Sequence, residues 1–368
     1  MRTLWLACAL SLAAYGAARA QGPEEHGPEA AALTPMLQSD SLVFNGIARS
    51  RDGRLFSPFQ RQEPNHGIEL GEWVDGKPVP YPDAEWNAWK PGNAAAHQFV
   101  GANAIRIGPD GDLWVVDKGA AGMNEAPLPG GPKLVQIDLA TNTVRGVYAL
   151  GAGTTAKSFI DDFRFNGRNV YLTDAGQPGL LVLNLDNRRV RRVLDGHPST
   201  VSQRPLTGEG RQLADEKGRP VYIHADQLEV SPDGRWFYYQ PCTGPLYRIE
   251  TRWLDDPNAT DAERGGHVAE FARTGSTGGT AIDADGTIYA SDADRPRILR
   301  IAPDGGITTL IEDPRLVWGD AMWIDEDGGL WIPAAQMDRA KIMNGGTSAV
   351  QFPTRIFRLP IGAKPLRN

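Results

Sequence analysis

Six residues recur at matching places in this chain: Asn45, Asn103, Asp161, Asp226, Gly278 and Asp320. Each opens a short stretch of alternating apolar residues that runs into a tight turn. The stretches are NGIARSRDGRLFSPF, NAIRIGPDGDLWVVD, DDFRFNGRNVYLTD, DQLEVSPDGRWFYYQ, GGTAIDADGTIYASD and DAMWIDEDGGLWIPA. Five of the six opening residues are hard oxygen donors. Brought to one place, the carboxylates among them would repel one another unless protonated, solvated or bound to a cation. Oxygen-only ligation by amides and carboxylates suits Ca²⁺, or else Mg²⁺ or Mn²⁺. The same residue types also cap strand starts by bonding neighbouring backbone N–H groups. The residues alone leave both readings open.

The elements that must position them are hairpins. Asp-Gly or Asn-Gly between two alternating runs is the strongest short-range hairpin signal, and successive repeats start 58, 58, 65, 52 and 42 residues apart. Self-similarity at that period marks a propeller or solenoid. A third strand follows each hairpin (KLVQIDL, GLLVLNL, PLYRIE, RILRIA, RIFRLPI), and usually a fourth (TVRGVYAL, RRVRRVL, HVAEFA, ITTLIE). Four strands in each of six repeats give an all-β fold, a six-bladed β-propeller. The last repeat lacks its fourth strand, and LQSDSLVF (37–44) is spare, so this N-terminal strand is expected to close the ring. Helix is confined to a short segment within 250–265.

In such a ring the residue opening each innermost strand sits at the rim of one face. The hairpin returns Phe59, Asp117, Asp174, Gln240, Asp292 and Ala334 to that face. Phe159, His224 and Trp318 lie two residues ahead of ring positions and are expected to wall a pocket there. Phe59, Trp318 and Asp320 would hold a ligand by stacking and charge, and His224 stands beside Asp226 as a base or ligand.

Residues 1–20 carry a basic start, an apolar run and Ala18-Arg19-Ala20, the pattern of a cleaved export signal. The expected organisation is signal peptide 1–20, flexible segment 21–36, propeller 37–362 and tail 363–368. Cys8 leaves with the leader, so Cys242 stands alone and no internal disulfide forms. Loss of Arg2 and Arg19 takes the net charge from −7 to −9, which excludes the basic face that nucleic acid requires. A small-molecule ligand or substrate is the expected partner. No nucleic acid, no membrane after cleavage and a monomeric state complete the expectation. GAGTTAKS (151–158) lacks the glycine before Lys157 that a phosphate loop needs.

GEWVDGKPVPYPDAEWNAW (71–89), NAIRIGPDGDLWVVDKG (103–119), YLTDAGQPGLLVLNLDNRRVRRVLDGHPS (171–199) and DPRLVWGDAMWID (313–325) resemble segments of the major royal jelly protein / yellow family. The resemblance spans Phe44 to Pro360 and implies a secreted or periplasmic six-bladed propeller. Members of that family range from pigment-pathway and nutritive proteins to amine binders. More distantly the chain resembles the gluconolactonase / senescence-marker-protein-30 group. That likeness implies a divalent metal on the axis, held by Asn45 (where that group has Glu), Asn103, Asp161 and Asp226. It further implies hydrolysis of a sugar lactone or similar ester, with Asp226 as ligand or base and Asn103 positioning the substrate. The alternative is a non-enzymatic binder of an amine or aromatic compound at the same mouth.

Overall fold

The computed structural model describes residues 32–62 and 64–366. Six four-stranded antiparallel sheets are arranged as blades. Blade 2 shows the pattern: Ala102–Ile107, Leu113–Asp117, Lys133–Asp138 and Thr143–Ala149, from the axis outward. Its first three strands are buried almost throughout, while the fourth is largely exposed. Inner strands of neighbouring blades pack face to face, so both faces of each sheet need apolar residues and the alternation fades inward.

The sixth blade is Trp323–Ile324, Gly329–Ala334 and Thr354–Pro360, completed by Thr34–Ser39 from the other end of the chain. The N-terminal strand therefore closes the ring. It lies a few residues earlier than 37–44, because Leu42 to Phe44 already cross toward blade 1. There the Val43 N–H and C=O are both held by the Asn65 side chain, at 2.7 and 2.6 Å. At the other end, Pro365 bridges to Asp283 and the Ala284 N–H donates to the Lys364 carbonyl, so the tail lies on blade 5. The 250–265 segment forms two short helices, Thr251–Asp255 and Asp261–Gly266, the second begun by a Thr260/Glu263 capping box. The expected export signal (1–20) and most of the flexible segment lie outside the described residues.

Four inner strands carry a β-bulge at the ring position. Register shifts fall between Ala102 and Ala104, Ile160 and Phe163, Ala225 and Leu228, and Thr277 and Thr280. A bulge sets two residues of one strand against fewer on its partner and re-aims side chains. Consecutive residues thus reach the axis: Asp161 with Asp162, Asp226 with Gln227, Gly278 with Gly279.

Below these positions the channel is plugged by charge. Arg106 Nη2 meets Asp162 Oδ2 at 2.8 Å and Arg164 Nη1 meets the same oxygen at 2.7 Å. Arg164 also grips both oxygens of Glu229 at 2.8 Å, and the Thr280 hydroxyl donates to Glu229 Oε1 at 2.8 Å. A buried network of this kind is tolerated only when its members satisfy one another. Its consequence is a cup with one mouth rather than a pore.

Candidate functional site

All six ring positions line one cavity of about 480 Å³, within the usual size range for small-molecule sites. The amide residues divide their labour. Asn45 Nδ2 donates to the Asn103 carbonyl (2.7 Å), Asn103 Nδ2 to the Asp161 carbonyl (2.9 Å), and Gln227 Nε2 to the Thr277 carbonyl (2.9 Å). Each tie runs from one blade to the next and ends on a backbone carbonyl, not on the backbone N–H groups that strand capping would engage. The acceptor halves differ. Asn103 Oδ1 takes a hydrogen bond from Gln60 Nε2 at 2.6 Å. Asn45 Oδ1 and Gln227 Oε1 are buried without any donor.

Three carboxyls complete the floor. Burial raises the pKa of Asp161 and lifts those of Asp226 and Asp320 well above the usual carboxylate value; repulsion by Asp161 adds to the rise at Asp226 and Asp320, and repulsion by Asp162 to that at Asp161. Asp161 and Asp226 share a hydrogen bond between their carboxyl groups, which requires a proton. Asn103 Nδ2 donates to Asp161 Oδ1 at 2.8 Å, stabilising that member as the anion. Asp320 keeps to its own strand, accepting from the Ala321 N–H at 2.8 Å. Burial likewise raises the thiol pKa of Cys242, which bonds Asp226 and the Thr277 carbonyl (3.0 Å).

The fifth ring position has a steric reason to be glycine. A Cβ on Gly278 would stand 2.5 Å from the Gly319 carbonyl and 2.9 Å from the Trp318 indole. The indole occupies that sector instead. Trp318 itself has φ +50°, a left-handed conformation that a bulky residue adopts only when its surroundings impose it.

Phe159, Trp318 and Asp320 line the cavity as expected; Phe59 and His224 do not. Phe59 is fully buried in the blade 1 core, its ring 6.2 Å from that of Trp73. The expectation of stacking at the mouth fails because the chain beyond Pro58 continues inward, and Gln60, not Phe59, reaches the ring. His224 Nδ1 accepts from the Ser202 N–H at 3.1 Å, and desolvation lowers its pKa, so the imidazole is held neutral in a loop contact. Asp117, expected in a second tier, is wholly buried: it ties the N–H groups of Val100, Gly101 and Gly119 and pairs with Lys133 at 2.7 Å.

Gln60, Asp162 and Gln227 were not singled out by the repeats. The upper wall also comes from outside the repeats, from two long excursions. One, after blade 3, carries Asp215 and Arg219 to Ile223; the other, after the second strand of blade 6, carries Met337, Ile342 and Met343. They pack on each other through the Ala214–Asn344 bridge.

Among the described residues no three His, Cys, Asp or Glu side chains are grouped to hold a metal ion. A cation here would therefore depend on amide oxygens as well. Asn45 Oδ1 and Gln227 Oε1, hard, buried and without a donor, belong to residues that line the same cup as Asp161 and Asp226. The donor set fits a Ca²⁺-like cation. Asn103 is less suited than expected, its Oδ1 being held by Gln60.

The fold and the site define a six-bladed propeller with a blind acidic cup on its axis. Residues 100–363 match the family model described as major royal jelly protein, and the chain belongs to that family. It is 25% identical over 316 residues to Protein yellow of Drosophila madeirensis, a match covering 80% of this chain and 54% of that one. The chain thus spans about half the length of this curated relative. Among solved structures, a luciferin-regenerating enzyme superposes with a TM-score of 0.55 at 12% identity, covering 93% of this chain and 98% of that one. A gluconolactonase of Xanthomonas campestris gives 0.53 at 15%, covering 93% and 99%. At such identities these likenesses show the fold alone. No helix among the described residues is long and apolar enough to cross a membrane.

Proposed function

We propose that the cup is a divalent-cation site at which a lactone or comparable ester is hydrolysed, in a protein exported from the cytoplasm. The observation that carries this reading is a pair of buried, donorless carbonyl oxygens, Asn45 Oδ1 and Gln227 Oε1, on residues that line the same cup as the Asp161/Asp226 carboxyl pair. A buried acceptor left without a partner costs stability, and a hard cation or an ammonium group is what would satisfy several at once. The gluconolactonase neighbour contributes only the class of reaction.

Asp161, Asp226, Asn45 and Gln227 would hold the cation, most simply Ca²⁺, with Mg²⁺ or Mn²⁺ as substitutes. When bound, it would supply polarisation of the acyl carbonyl and a water of lowered pKa. Gln60 fixes the Asn103 amide, and Asn103 in turn donates to Asp161, favouring its ionised form. Asp226, expected as the base, is better placed as a ligand. Asp320 is the carboxyl left outside the pair, and burial lifts its pKa well above the usual carboxylate value, as suits a group that exchanges protons with substrate. It takes the proton as water adds to the acyl carbon. It then returns the proton to the departing ring oxygen as the acyl C–O bond breaks, giving the hydroxy acid.

An amine binder using the same floor is the second reading. Three buried carboxyls next to the Trp318 indole favour it. Turnover of a lactone panel, with and without chelator, decides between them. Chelator-sensitive hydrolysis lost in Asp320→Asn supports the enzyme. Stoichiometric binding of an aromatic amine without hydrolysis of any lactone supports the binder.

A further inference from the structure

Besides its polar ring residues and charged side chains such as Glu125, Lys157 and Asp215, the cup has an apolar side. Met123, Val221, Ile223, Met337, Ile342 and Met343 line the cavity, and all six belong to one hydrophobic cluster that continues into the excursions through Leu206 and Leu213. The cavity wall is thus the inner face of a packed apolar layer. Three of the chain's six methionines stand in it. Methionine is the side chain that best adapts to apolar ligands of varied shape. At the rim, Arg219 is committed to Asp215 at 2.7 Å.

We infer that the substrate is a lactone or ester bearing an apolar side chain of several carbons, and not a polyhydroxylated sugar lactone. The carbonyl end would meet the polar floor and the side chain would run up the Met/Ile wall. Sugar hydroxyls in that position would give up water for thioether and aliphatic surface, an exchange that disfavours binding. Each methylene buried against the wall should instead improve transition-state binding about fourfold.

This inference rests on the hydrolase reading for its chemistry but is tested separately from it. The probes are γ-hexalactone, γ-octalactone and γ-decalactone, whose side chains lengthen by two carbons at a step, and glucono-δ-lactone. Both kcat/KM of the Ca²⁺-loaded protein and calorimetric affinity for its Asp320→Asn variant are measured. The expected result is a rise of about fifteenfold per step in each, with glucono-δ-lactone weakest. Ile223→Ser and Ile342→Ser, at half-buried wall positions, should flatten the slope, the loss growing with side-chain length. A flat series, or preference for glucono-δ-lactone, overturns the inference and leaves hydrolysis intact. Affinity that rises with chain length in the absence of any turnover supports the inference and removes the hydrolase reading.

Discussion

Asp338 lies in the turn that carries Met337 to the cavity wall, and replacing it with asparagine should stabilise the protein in a pH-dependent way. The residue is fully buried and neither carboxyl oxygen has a donor. The group it meets is Glu209, itself an acceptor already engaged by Arg339 (Nε at 3.0 Å), so the contact works only when Asp338 is protonated. Arg211 gives no relief, since it donates to the Asp338 backbone carbonyl at 2.7 Å. The space is closed: a Cβ on Gly208 would stand 2.7 Å from Asp338 Cβ. Burial first, and Glu209 second, push the Asp338 pKa from 3.8 to about 7. An acid raised in the folded state binds more protons there than when unfolded, so its contribution to stability falls as pH climbs between those values. At ~1.36 kcal/mol per pH unit the full cost above pH 7 is about 4 kcal/mol. Local relaxation reduces that to roughly 2–4 kcal/mol. Asparagine keeps a donor toward Glu209 and does not ionise. In urea unfolding followed by tryptophan fluorescence, Asp338→Asn should match the parent protein near pH 4 and gain about 2–4 kcal/mol by pH 8. A difference that stays constant with pH, or a variant weaker at pH 8, would refute the reasoning.

Phe59→Ala should cost about 3–5 kcal/mol through the cavity left in the blade 1 core, yet leave ligand affinity unchanged in binding assays, because Phe59 does not reach the cup. Asp325, held by Arg358, Trp331 Nε1 and the Gly329 N–H, has its pKa lowered to about 2 despite its burial. Stability from this group is complete above pH 4 and is lost as pH falls toward 2. Acid unfolding of the parent should show a loss of about 2 kcal/mol in that window that Asp325→Asn lacks.

Much of this architecture was legible because the chain repeats itself. Each Asp-Gly or Asn-Gly turn between alternating runs marks a hairpin, and six such turns in register place Asn45, Asn103, Asp161, Asp226, Gly278 and Asp320 around one axis. The N-terminal strand was legible as the missing fourth strand of the sixth blade. What the repeats hide is the bulge. An alignment assigns one residue per ring position, whereas a bulge delivers two, and this is why Asp162 and Gln227 escaped notice. Gln60 escaped because blade 1 bends inward one residue later than Phe59. The upper wall of the cup lies outside the repeats altogether: residues such as Ile223 and Met343 approach the ring only through tertiary packing of the two excursions, and no spacing records that. His224 is the converse case, a residue of the right chemistry near the right place whose ring nitrogen is already engaged by Ser202.

Cation binding by the ring oxygens is tested most directly by calorimetric titration of chelator-treated protein with Ca²⁺ in buffers of different ionisation enthalpy. The expected result is one cation per chain, with proton release as the carboxyl pair gives up the proton it shares. Affinity should fall at least tenfold in Asp226→Asn and remain in Asp320→Asn. Absence of binding for Ca²⁺, Mg²⁺ and Mn²⁺ alike, or binding indifferent to Asp226→Asn, would contradict it.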